Sequence, residues 1–200
     1  MACNNGWMSA LQERAKPYLL PLINGEITVL DEKAQAIVTA WITMFSMVAE
    51  YFDPTKVSTT SQQRHDFWKT DEPPATWKIW MGDYERGSWV GHLVHFAVPI
   101  SSAHQIPEIL DNGVPRPNTQ TMIFTVGRLY VYLCGSVTGI FEDWQLTRSD
   151  LLAQIWPFRR NLIAWPPKTT MNDRDADQIA GTFQRQSDEV SRRMVEESEL

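Results

Sequence analysis

Four histidines, two cysteines and a scatter of carboxylates are the groups in this chain that could carry acid–base, nucleophilic or metal chemistry. His92 and His95, close to Asp83 and Glu85, come first. Side chains alternate along a regular strand, so positions three apart point to opposite faces. His92 then shares a face with Val90, Val94 and Phe96, and His95 with Leu93 and Ala97. The spacing predicts that the two do not grip one ion, and both read more simply as hydrogen-bonded histidines near a core. A metal site there would need a bulge and a third ligand that no spacing supplies. A cleft around His92, His95 and either Glu85 or Asp83 is the remaining enzymatic candidate. Cys3 has no partners at zinc-ligand spacing, and Cys134 sits in an apolar run as a small hydrophobe. In Gly87-Ser88-Trp89-Val90-Gly91 and Gly135-Ser136-Val137-Thr138-Gly139 the serine is second, whereas a nucleophile elbow needs it in the middle. Paired C-x-x-C, H-E-x-x-H and glycine-rich phosphate loops are absent from the sequence.

The densest mixture of bases, rings and prolines lies in Trp156-Pro157-Phe158-Arg159-Arg160 and Trp165-Pro166-Pro167-Lys168. Rings beside arginine hold single-stranded nucleic acid or form anchors at protein interfaces. Trp156, Phe158, Arg159, Arg160, Trp165 and Lys168 are therefore the candidate binding residues. The competing expectation is that both tryptophans pack inward, the arginines face solvent, and the acidic segment that follows competes for them. The net charge is −6. From Met171 to Leu200 four bases stand against eight acids, leaving the body nearly neutral. DNA affinity rests on phosphate neutralisation, so this balance favours a protein partner over nucleic acid. Two cysteines form no disulfide framework and suit a reducing, cytoplasmic setting. The uncharged apolar run from Ala34 to Ala49 is shorter than the roughly 20 residues of a bilayer span. No membrane partner is expected.

The elements that must position these residues follow from periodicity. Met8, Leu11, Ala15, Leu19 and Ile23 predict a helix over 8–23, with Pro17 and Pro21 expected to kink or stop it near Lys16. Asp31 is the expected N-cap of a second helix running to about Tyr51, apolar nearly all round and so central to the core. Ser61 to Lys69 reads as a short polar helix. Strands are expected over Thr76–Met81, Trp89–Ile100, Thr121–Val126 and Arg128–Leu133, with Leu151–Trp156 as the last. A final acidic helix should begin near Asn172 or Asp173 and run to about Glu197. Helices first, strands in the middle and a helix last predict an α+β fold, with one domain over 1–170 and an acidic helix or tail over 171–200.

Cys3-Asn4-Asn5-Gly6-Trp7-Met8-Ser9 resembles the run that closes the nuclease domain in a family of bacterial and phage HNH-endonuclease-like proteins. Trp7-Met8-Ser9-Ala10-Leu11-Gln12, Lys16-Pro17, Leu20-Pro21-Leu22-Ile23 and Gly25 are similar to the family's next helix, and the helix from Asp31 to the one after it. Gln154-Ile155-Trp156-Pro157 and Trp165-Pro166-Pro167 resemble a tryptophan–proline region near its end. The resemblance implies that Cys3 is a remnant of a structural zinc site. It also implies that Asn4 or Asn5 closes a catalytic set whose histidines and metal ligands precede this run. Those residues have no counterpart here, so it carries over no catalytic residue and no cofactor. The expectation is a non-catalytic binding protein of phage or mobile-element origin, equivalent to the accessory region after the nuclease. The alternative is a fragment of a metal-dependent HNH DNA endonuclease whose catalytic N-terminal part is absent.

Overall fold

The computed structural model describes residues 6–101, 107–110, 113–141, 148 and 150–182. Helix α1 spans Trp7–Asn24 and runs straight through Pro17 and Pro21. Each proline removes a backbone hydrogen bond and would ordinarily break the helix. Here Pro17 is exposed, while Leu11, Ala15, Leu19 and Leu22 form one unbroken buried stripe. Tertiary packing of that stripe outweighs the local defects, so the expected stop near Lys16 does not occur. Gly25 ends the helix in the left-handed region (φ 75°), its N–H closing on Leu22.

Strand β1 (Thr28–Leu30) leads into α2 (Glu32–Ala49), whose Asp31 side chain accepts from the Ala34 N–H at 2.8 Å. α2 is buried on most sides, as its all-round apolarity requires. Its buried Thr39 and Thr43 hydroxyls donate back to the carbonyls of Gln35 and Thr39 at 2.6 and 2.9 Å. A 3-10 turn, Glu50–Phe52, closes it. A second such turn, Pro54–Lys56, precedes α3 (Ser61–Thr70), which opens on a capping box formed by Thr60 and Gln63.

Five antiparallel strands follow: β2 (Lys78–Asp83), β3 (Leu93–Val98), β4 (Thr119–Val126), β5 (Leu129–Ser136) and β6 (Ala153–Trp156), ordered β3-β4-β5-β2-β6. β7 (Ile163–Trp165) leaves this sheet and pairs with β1, Val29 opposite Ala164. Leu151–Trp156 is thus not the last strand. The β1–β7 pair escapes local pattern reading because each strand has only three residues and its partner lies across most of the chain. The strand expected from Trp89 begins at Leu93. Before it the chain turns, with the Trp89 carbonyl taken by the Thr125 hydroxyl and its indole N–H by Asp177.

Alternation along the central strands builds a core on each sheet face. Ile79, Met81, Met122, Phe124, Val131 and Leu133 meet α1, α2 and α3. Trp80, Ile123, Tyr130, Tyr132 and Cys134 form the second core with Leu151, Met171, Ala176 and Ile179. The last two lie on α4, helical over the described residues 173–182. The result is an α+β protein in three layers, with the sheet in the middle. Residues 171–182 contribute to the second core, and the Met171 N–H donates to the Asp83 carbonyl at 2.7 Å, so they are integral to the body. The expected course of this helix beyond 182 lies outside the described residues. No helix among them is long and apolar enough to cross a membrane.

Candidate functional site

The expected cleft of His92, His95, Glu85 and Asp83 is not assembled. Asp83 is fully buried, and its carboxylate is held by Arg128 (Nε at 2.7 Å) and the Thr170 hydroxyl at 2.9 Å. His92 precedes β3, exposed, with its ring 5.8 Å from that of Trp89, which packs against the second core. His95 points to the helical side, where its Nε2 meets Gln120 Oε1 at 2.9 Å. Burial pushes the His95 imidazole below its ordinary value, partly countered by the nearby Glu50 charge. The chain turns over 87–91 before β3 begins, which leaves His92 at the surface while His95 meets Gln120. Among the described residues, no three His, Cys, Asp or Glu stand where they could hold a metal ion. Cys3, Asn4 and Asn5 lie outside the described residues.

The richest polar cluster centres on Glu50, at the end of α2 and fully buried. It accepts from the backbone N–H groups of Ser58 and Thr59, both at 3.1 Å, and from the Thr59 hydroxyl. Gln120 Nε2 (2.6 Å) and an Arg64 guanidinium nitrogen (2.8 Å) complete the set. A carboxylate so fully engaged has no free lone pair for a substrate, and its work is to bind three elements together. The depression beside it, lined by Ser58, Thr59, Trp77, Asn118, Gln120 and Ser136 among others, is filled by its own lining and leaves no room for even a water molecule. Ligand pockets usually hold roughly 300 Å³ or more. Cys134 is also inert: burial pushes its thiol well up, so it stays protonated.

The tryptophan–arginine segment divides in two. Trp165 is 2% exposed on β7 and belongs to the helical-side core, so it is corrected from contact residue to scaffold. Trp156 is half-buried, its indole N–H donating to the Pro74 carbonyl at 3.2 Å and its ring edge-on to Phe158 at 5.2 Å. Phe158, Arg159, Arg160 and Lys168 are exposed, as is Leu162. The described acids of α4 do not pair with these arginines, and those from 188 to 199 lie outside the described residues. Asp173 accepts from Tyr84 and the Ser88 N–H, Asp175 from Arg148, and Asp177 from Trp89, all around the opposite face of the sheet.

Gln35 places the 157–162 loop, and sequence reasoning missed it. This side chain, fully buried in α2, donates through Nε2 toward the carbonyls of Leu30 and Arg160 (both 3.1 Å) and Asn161 (3.3 Å). One amide thereby ties β1 and the loop backbone to the central helix. Gln35 is the one amide side chain in the uncharged run from Ala34 to Ala49, and this was the signal available, since a buried amide must find partners. Leu162 carried no such signal, because one leucine beside Ile163 reads equally well as core. A scan of protein-family models, a search of curated proteins and a search of solved structures each found no match. The HNH-like resemblance accordingly rests on the sequence runs alone.

Proposed function

We propose that this chain acts by binding a protein, in the manner of an accessory region that follows the nuclease unit of an HNH-like protein. The contact surface is the loop over 157–162. The observation that carries this reading is the separation of backbone from side chains there. Gln35 pins the carbonyls of Arg160 and Asn161 to α2, while Phe158, Arg159, Arg160 and Leu162 stand outward. A loop already held in one conformation loses little entropy on binding, which is what preorganisation contributes to affinity. Aromatic and arginine side chains are the usual anchors of protein interfaces. The acidic balance of the chain supports protein over DNA, as phosphate contacts require local positive excess.

Photo-crosslinking tests the reading. A photoreactive amino acid replaces Phe158 or Leu162 in turn, with exposed Gln12 on α1 as control. In a lysate of the source organism, positions 158 and 162 should trap the same discrete protein, and position 12 should not. Equal labelling from all three positions, or adducts to nucleic acid, would overturn it.

A further inference from the structure

We propose that His95 is a proton-operated latch on β3: the neutral imidazole fastens this edge strand to the Glu50 cluster through Gln120, and proton binding at its Nδ1 lets the strand loosen. β3 and β6 are the two edges of the five-stranded sheet, so the latch sits at the edge opposite the strand that leads into the 157–162 loop.

The hydrogen-bond pattern fixes where the proton goes. The Gln120 amide nitrogen donates to Glu50 Oε1 at 2.6 Å and to the Thr59 hydroxyl at 3.1 Å. Its Oε1 is thereby turned toward His95 Nε2, 2.9 Å away. An amide oxygen only accepts, so Nε2 of the neutral ring carries the hydrogen and Nδ1 carries the lone pair. Among the described residues Nδ1 has no hydrogen-bond partner. A proton taken from solvent therefore adds at Nδ1 and makes the ring a cation.

That cation finds no spare counter-charge. Among the described residues, the charged groups facing the ring are Glu50, from the end of α2, and Asp53 and Lys56, from the turn that packs on β3. Glu50 is already paired with Arg64 at 2.8 Å, and Asp53 with Lys56 at 3.0 Å. β4, the strand beside it, has no ionisable side chain. The half-buried imidazolium thus loses hydration without gaining an unpaired carboxylate. In keeping with this, burial holds the His95 imidazole below its ordinary value of 6.5. As pH falls, the unfolded chain takes the proton first. The stabilisation given by the neutral ring is complete above 6.5 and is lost as pH drops from 6.5 through the folded value. β3 is the segment that yields, because it is bonded to β4 alone, whereas β4 is also bonded to β5.

Heteronuclear NMR of the full-length protein, reading the imidazole nitrogens and amide exchange together, tests the latch. At neutral pH the His95 ring should show a protonated Nε2 and a bare Nδ1, and it should titrate below 6.5. The Thr125 N–H donates to the His92 carbonyl, so the even-numbered residues of β3 exchange hydrogen bonds with β4. Protection factors of the Val94 and Phe96 amides should fall about threefold or more between about pH 7.5 and about pH 5, while those of β5 change less. His95→Gln keeps an N–H donor for Gln120 and cannot titrate, so it should abolish the fall. His92→Gln, at an exposed histidine just before the strand, should leave the fall intact. The titration of the parent protein decides by itself whether or not His95→Gln folds. A bare Nε2, a His95 midpoint at or above 6.5, unchanged protection of Val94 and Phe96, or a fall that persists in His95→Gln would overturn the latch.

Discussion

Glu50 shows how a group that looks catalytic can be structural. Its carboxylate gathers two backbone N–H groups, a hydroxyl, an amide and a guanidinium from three separate segments. Removing one partner of such a buried set leaves the others without acceptors. Arg64 is itself 22% exposed and can recover some hydration, which moderates the loss. Glu50→Ala should therefore cost roughly 3 kcal/mol, a fall in Tm of about 6–12 °C for a chain of this size. Glu50→Gln retains an acceptor oxygen and should cost less. Thermal denaturation at neutral pH measures both, and a Glu50→Ala protein melting with the parent would show that the cluster adds nothing.

Among the elements, α2 does more than fill the core. Through Gln35 it sets the path of the chain between β6 and β7, and through Glu50 it reaches β4 and α3. Gln35→Met preserves volume and removes the donors. The expected result is faster hydrogen exchange at amides 158–162 with little change in β4 and β5, because those strands are secured by their own ladders. Far-ultraviolet circular dichroism should remain the same. Uniform exchange before and after the substitution would mean that β7 pairing alone holds the loop. A comparable junction lies at Gly127, φ 59°, where an added Cβ would stand 2.4 Å from the Ile23 carbonyl oxygen. The β4–β5 turn can approach α1 that closely only with glycine.

At the level of the molecule, the two faces of the sheet are closed by different parts of the chain. α1, α2 and α3 close one face, and α4 closes the other through Ala176 and Ile179. α4 is moored at its start by Asp173, which accepts from Tyr84 and from the Ser88 N–H. The Tyr84 hydrogen bond, followed by the Ser88 amide, holds the Asp173 carboxyl below the ordinary aspartate value of 3.8. A depressed folded-state value means that the stabilisation is present above 3.8 and is lost as pH falls through the folded value. Acidification through that folded value, below 3.8, should thus loosen the contact of α4 with the 84–92 turn. The readout is exchange of the Ser88 amide hydrogen, with β5 amides as the internal reference. Asp173→Ala should show low protection of the Ser88 amide at every pH; a Ser88 protection factor that does not change with pH in the parent would remove Asp173 as the mooring.

Periodicity in the sequence was enough for the presence of α1, for α2 and α3, and for the paired strands β4 and β5, because amphipathic and all-apolar patterns are local. Asp31 is legible as a cap without any tertiary knowledge. The inert environment of Cys134 was likewise readable from its apolar run. The candidate binding segment was legible only in part: its arginines and Phe158 are exposed, but Trp165 is core. Which tryptophan faces inward depends on the register of β7 against β1, and a shift of one residue would exchange Trp165 for Ala164. That register is a contact between residues more than a hundred positions apart, invisible to any local window. The same holds for Pro17 and Pro21, whose helix-breaking tendency is a local quantity overruled by burial of Leu11, Ala15, Leu19 and Leu22. Local patterns chose the elements; long-range packing chose their neighbours, and so which side chains were left at the surface to meet a partner.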